Sequence, residues 1–124
     1  VQFFTPGIPQ VYYVGLLAGM NDIEALKRGE EGRSINRHNY TGKEIEENIS
    51  RPVVGKLFVL MRFRNEYPAF GGEVFIEPLE EKSKLAVTWK KDSWETVLYA
   101  DFSKKTFEIA YKEKETGSMR YLAL

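Results

Sequence analysis

Cysteine is absent from the 124 residues, which excludes disulfides, thiolate catalysis and cysteine-based zinc sites. A single histidine also removes the two-histidine metal motifs carried on one helix. Lysine plus arginine number 18, aspartate plus glutamate also 18. A net charge of zero offers no electrostatic pull toward nucleic acid or an anionic membrane surface. No apolar run reaches the roughly 18 residues a spanning helix needs. No charged leader with a small-residue cleavage site opens the chain, nor is there an internal repeat or low-complexity tract. The Val-Gln-Phe-Phe start, followed closely by an apolar segment, is what a piece of a longer polypeptide would show. What the chain does have is enough apolar surface to fold, 43% hydrophobic and 14% aromatic residues.

Residues 8–14 (Ile-Pro-Gln-Val-Tyr-Tyr-Val) form a continuous apolar run of the kind found in strands covered on both faces. A long connection follows, residues 15–40, with a short helix predicted over Asn21–Leu26 and Asn21 or Asp22 as its cap. Thr41-Gly-Lys-Glu44 is a capping box that starts a helix running to about Ile49. Ser50-Arg-Pro52 is the expected start of another, with Ser50 as N-cap, ending near Tyr67 because Pro68 follows. Its apolar positions 53, 54, 57, 58, 60, 61 and Phe63 predict a broad stripe packed on a sheet.

From Gly71-Gly72 the apolar period drops to two. Strands are predicted at 74–76, 85–90, 94–102, 106–112 and 119–124, a five-stranded antiparallel meander joined by hairpin-sized turns. Its inward faces are expected to be Leu85/Val87/Trp89, Trp94/Thr96/Leu98/Ala100/Phe102 and Phe107/Ile109/Tyr111.

The chemistry gathers in Gly32-Arg-Ser-Ile-Asn-Arg-His-Asn-Tyr40. Arg37 carries a charge it cannot lose and five donors in a rigid fork, suited to vicinal hydroxyls, carboxylate or phosphate. The competing role is a structural ion pair that holds the loop. Asn36 and Asn39 suit either sugar hydroxyls or turn backbone. His38, the chain's single imidazole, has no Asp or Ser partner close by in sequence, so packing competes with binding. Asp22, Glu24, Glu30 and Glu31 are carboxylates in the connection; sequence spacing says nothing about the separation glycoside chemistry needs, and solvated charge is the simpler account. Trp89, Trp94, Tyr99 and Tyr111 make either a sugar-stacking face or core.

Thr5-Pro-Gly-Ile-Pro-Gln-Val-Tyr-Tyr-Val-Gly15, Leu17-Ala-Gly-Met-Asn-Asp22, Gly32 to Tyr40, Arg51-Pro-Val-Val54, Arg62-Phe-Arg-Asn65 and Pro68-Ala-Phe70 together resemble the C-terminal part of sucrose phosphorylases, within the α-amylase superfamily. The resemblance is detailed over 5–70 and architectural beyond. It implies an α+β fragment: the last βα unit of a (β/α)8 barrel in residues 1–70, then a five-stranded antiparallel β-sheet domain in 71–124. It places Arg37, with Asn36 and His38 beside it, against the transferred glucosyl unit at the barrel mouth. It implies double displacement on sucrose or a related glucoside with inorganic phosphate, through an aspartate nucleophile, an acid/base glutamate and a third aspartate that all lie upstream of Val1. The fragment itself is therefore expected to be inactive. No cofactor or metal, no nucleic acid or membrane partner, and a cytoplasmic location are expected. Asn39 departs from the family's more frequent Ile-Asn-Arg-His-Tyr-Tyr, which shifts weight toward sister activities such as glucosylglycerate phosphorylase. An exposed, coplanar aromatic trio on one sheet face would instead favour a non-catalytic module that docks sugar or protein; a third reading is purely structural, the terminal domain covering the end of the barrel. An unpaired segment 8–14 predicts that the isolated chain either self-associates through it or leaves it rearranged.

Overall fold

The computed structural model describes residues 1–29, 32, 34–79 and 83–124. They divide into two compact units: Val1–Pro9 with Leu60–Leu124, and Gln10–Val59. The helices are α1 (Tyr13–Leu16), α2 (Ile23–Lys27), α3 (Gly42–Ile49) and α4 (Pro52–Glu66). The strands are β1 (Glu73–Pro78), β2 (Lys84–Lys91), β3 (Trp94–Asp101), β4 (Thr106–Lys112) and β5 (Met119–Tyr121).

The predicted meander is present: one sheet in the order β1-β2-β3-β4-β5, every neighbouring pair antiparallel. Alternation fixes its faces. Ile76, Val87, Leu98 and Ile109 lie directly opposite one another across four strands, and Val87, Leu98 and Ile109 are buried. The adjoining row runs Val74, Trp89, Thr96, Tyr111. Thr96, fully buried, resolves its hydroxyl by donating to the Ala110 carbonyl at 2.8 Å.

Aromatic packing covers this face. Phe63 stacks on Tyr67 with centroids 4.9 Å apart and tilts against Tyr111 at 5.5 Å. Tyr67 meets Trp94 edge-on at 5.4 Å, and its hydroxyl proton is shared between the Glu95 and Lys112 carbonyls. The buried Trp89 indole donates to the Phe4 carbonyl at 2.8 Å, and Phe4 packs edge-on against Phe70. Trp89 is thus core, Trp94 and Tyr111 are half-buried against Tyr67 and Phe63, and Tyr99 points to the opposite face, so the four form no stacking platform.

Two inward positions were expected and are not found. Phe102 and Phe107 are 54% and 53% exposed. They sit at the β3–β4 hairpin end, and a period of two says which face a residue takes but not how far along the strand its cover reaches. Conversely Ala86, Val97 and Ala110 are buried on the outer face, where short side chains lie low between longer neighbours.

In the other unit, residues 8–14 do not form the predicted strand. Residues 8–12 join no ladder among the described residues, and the chain turns into α1 at Tyr13. Strand geometry needs a hydrogen-bonding neighbour, and all five described strands pair only with one another. Asp22 caps α2 by accepting from the Ala25 N–H at 3.1 Å. Thr41 and Glu44 close the capping box of α3. Ser50 finishes α3, donating to the Glu47 carbonyl, rather than capping α4. Only part of the α4 stripe is buried: Val54 is inaccessible, whereas Val53, Phe58 and Val59 are exposed. Apolar residues surround this stretch of α4 on most sides, so a single contact face cannot cover them.

Candidate functional site

The segment 34–41 is held at several points along its backbone. Ser34–Asn36 is one 3-10 turn, closed by the Arg37 N–H on the Ser34 carbonyl at 3.2 Å. The Ile35 carbonyl accepts from the Asp22 N–H at 2.8 Å. Three residues on, the His38 carbonyl accepts from the Tyr13 hydroxyl at 3.0 Å, across 25 positions of sequence. The His38 ring is fixed from two directions. Its Nε2 lies 3.0 Å from Glu44 Oε1, and its edge meets the Tyr40 ring at a centroid distance of 4.5 Å. Tyr40 in turn fits against Gly19, where any Cβ would collide with its hydroxyl and with the Val14 side chain.

Between these anchors Arg37 is exposed and forms no ion pair with any described residue. Its charge acts on Tyr13. That phenol is held above its ordinary value, first by hydrogen bonding with Tyr12, and the Arg37 cation opposes the rise. The structural ion pair that competed for Arg37 is thus not what occupies it among the described residues. Asn36 is exposed next to it. Arg33, Glu30 and Glu31 lie outside the described residues. Glu24 pairs with Lys27 at 2.6 Å and Asp22 with Arg28 at 3.4 Å, both pairs solvated, which leaves neither aimed at the segment as a catalytic carboxylate.

Sequence reasoning found no partner for His38; the structure supplies Glu44. The signal was available, because the capping box already directs that carboxylate back toward Thr41, three residues past His38. The Thr41 N–H and hydroxyl donate to Glu44 Oε2 at 2.7 and 2.8 Å. With the His38 contact added, these bonds favour the ionised form and bring Glu44 from 4.5 down to about 2. Tyr13 gave no sequence signal, since its partner is remote in the chain.

The depressed value fixes the sign of an acid effect. A carboxylate whose folded pKa lies below its unfolded one contributes stability that is full above the unfolded value and lost as pH falls through the folded one. The unit Gln10–Val59 should therefore lose a modest part of its stability as pH falls from about 4.5 to about 2, read as a drop in its thermal midpoint. Asp22, also held low chiefly by the Ala25 N–H, acts in the same sense. Glu44→Gln should flatten the profile; an unchanged profile would exclude Glu44 as the titrating group.

No group of three or more His, Asp or Glu side chains that could hold a metal occurs among the described residues. None of the described helices is long and apolar enough to cross a membrane. In the sheet unit, the cleft beside Gly7, Tyr67 and Lys91 presents Arg64, but that guanidinium is engaged. It donates to the Gly7 carbonyl at 3.0 Å and lies over the Phe70 and Trp89 rings.

No family model matches the chain. Curated proteins do. A sucrose 6(F)-phosphate phosphorylase of Thermoanaerobacterium thermosaccharolyticum is 54% identical over 122 residues, 98% of this chain and 25% of its own length. A glucosylglycerol phosphorylase of Marinobacter adhaerens is 48% identical over the same share of each. A sucrose phosphorylase of Bifidobacterium adolescentis is 49% identical over 98 residues, 79% of this chain and 19% of its own length. The crystal structure of sucrose 6F-phosphate phosphorylase from Thermoanaerobacter thermosaccharolyticum matches with a TM-score of 0.90 at 53% identity, covering 99% of this chain and 25% of that one. The chain spans about a quarter of the length of these relatives. In sequence and in fold, residues 1–124 are similar to the C-terminal region of the sucrose phosphorylases and sucrose 6F-phosphate phosphorylases.

Proposed function

We propose that this chain is the C-terminal part of a retaining glucoside phosphorylase, in which Arg37 grips the glucosyl unit passed from a glucoside to inorganic phosphate. The observation that carries this is the exposed guanidinium, without an ion pair among the described residues, on a backbone anchored on either side. A fork left free on a fixed segment is preorganised for a ligand's oxygens. Asn36 and His38 flank it and serve as secondary hydroxyl contacts.

The reaction is a double displacement. A carboxylate nucleophile attacks the anomeric carbon while an acid protonates the departing acceptor, and phosphate then takes the glucosyl group to give glucose 1-phosphate. The carboxylates that do this belong to residues outside these 124. In the same reading, residues 1–70 come from the end of a (β/α)8 barrel, in which segment 8–14 would gain the strand neighbour it lacks among the described residues, and 71–124 form a terminal β domain. The uncovered Val53, Phe58 and Val59 of α4 support that, since a helix apolar on most sides belongs inside a larger assembly. Ile8, 92% exposed, supports self-association of the chain when isolated. A cytoplasmic location accompanies this reading.

Acceptor choice lies among the activities of the relatives named above and the glucosylglycerate branch that Asn39 favours. The test is phosphate-dependent release of glucose 1-phosphate. Full-length protein should form it from at least one of sucrose, sucrose 6F-phosphate, glucosylglycerol or glucosylglycerate, and the 124-residue chain from none. Formation by the short chain, or by neither, overturns the proposal.

A further inference from the structure

We infer that Glu44 is a positioning residue for Arg37: its carboxylate joins the start of α3 to the His38 imidazole, and so fixes the backbone that presents the guanidinium. This rests on Arg37 being the glucosyl-binding residue.

Glu44 uses both oxygens. Oε2 accepts from the Thr41 N–H and hydroxyl at 2.7 and 2.8 Å, and Oε1 lies 3.0 Å from His38 Nε2. An ordinary capping box needs only the first set. The second reaches back six residues to the side chain adjoining Arg37. An ionised carboxylate only accepts, so Nε2 must carry the proton, and the neutral ring is the Nε2–H tautomer with Nδ1 bare.

The remaining anchors complete the brace. The Tyr13 hydroxyl holds the His38 carbonyl at 3.0 Å, and the Asp22 N–H holds the Ile35 carbonyl at 2.8 Å. Arg37 is bracketed on both sides; Tyr13 ties that bracket to the four-residue α1, and Glu44 ties it to the longer α3. An exposed ion pair of this kind adds little to stability. Its consequence is geometric, because small misplacements of a binding group cost far more in rate than in folding.

The single histidine makes the link directly readable. Long-range 1H–15N correlation on the 124-residue chain, at a pH alkaline enough to keep the ring neutral, should show a protonated Nε2 and a bare Nδ1. In Glu44→Gln the amide oxygen replaces the carboxylate toward Thr41 and the NH2 faces the ring, so the proton should move to Nδ1. A mixed tautomer in the unmodified chain, or no response to Glu44→Gln, overturns the link.

Kinetics of the full-length protein test its consequence. Glu44→Ala should lower kcat/KM for phosphorolysis by about tenfold or more, with Glu44→Gln within about threefold of the parent because the bridge is remade. Thr41→Ala, which removes the cap but leaves the His38 contact, should behave like Glu44→Gln. If Thr41→Ala is as damaging as Glu44→Ala, the role is helix capping and the proposal fails. If Glu44→Ala turns over normally while Arg37→Ala does not, the positioning role fails and the Arg37 reading stands. If neither loses activity, both fall.

Discussion

Arg37→Ala in the full-length protein should reduce kcat/KM for phosphorolysis by about a hundredfold or more, with the fold intact. The size follows from what a fork offers. Two charge-assisted hydrogen bonds to neighbouring hydroxyls contribute about 1.5 kcal/mol each at the lower end, about 3 kcal/mol together. Each 1.36 kcal/mol is about tenfold in rate. Retention of the fold follows because the side chain is exposed and has no ion pair among the described residues. Arg37→Lys keeps the charge but loses the paired geometry, so it should recover only part of the loss. Steady-state rates of glucose 1-phosphate release, with circular dichroism beside them, are the measurement. Turnover of Arg37→Ala equal to that of the parent removes this residue from the site.

Much of the architecture was legible because it depends on local chemistry. The meander showed in a period of two from Val74 to Tyr111, and the pairing of consecutive strands follows from short turns alone. Thr41 and Glu44 announced α3, and Asp22 announced α2, through caps that involve residues three apart. What failed depends on neighbours distant in sequence. Residues 8–14 have the composition of a buried strand but no partner ladder here, and composition cannot provide one. Phe102 and Phe107 alternate correctly and are still exposed, because their cover would have to come from elsewhere. Trp89, Trp94 and Tyr111 were ambiguous between platform and core until Phe63, Tyr67 and Phe70 were seen to occupy their faces.

The site divides in the same way. Arg37 stood out through residue type and family resemblance. The supports around it were hidden for different reasons: Tyr13 is 25 residues from the carbonyl it holds. Glu44 was already explained by its capping role, which concealed its second contact with His38.

Leu98→Ala should destabilise the sheet unit by about 2–5 kcal/mol, the cost of deleting buried methyl groups and leaving a cavity. Leu98 is 1% exposed at the middle of the central strand, opposite Val87 on one side and Ile109 on the other. Both neighbours are held in register by strand pairing, so the space cannot collapse without breaking the ladder. Against a typical total of about 5–15 kcal/mol, the loss is large enough to unfold a marginal unit. Tyr99→Ala, one residue along on the opposite, more exposed face, should change stability by no more than about 1 kcal/mol. The readout isolates this unit, because the chain's 2 tryptophans, Trp89 and Trp94, both lie in its sheet. In urea titrations followed by tryptophan fluorescence, Leu98→Ala should move the midpoint down by at least about 1 M at a slope of about 1–2 kcal/mol/M. Equal shifts for Leu98→Ala and Tyr99→Ala would mean that the buried face of β3 is not the packed centre described above.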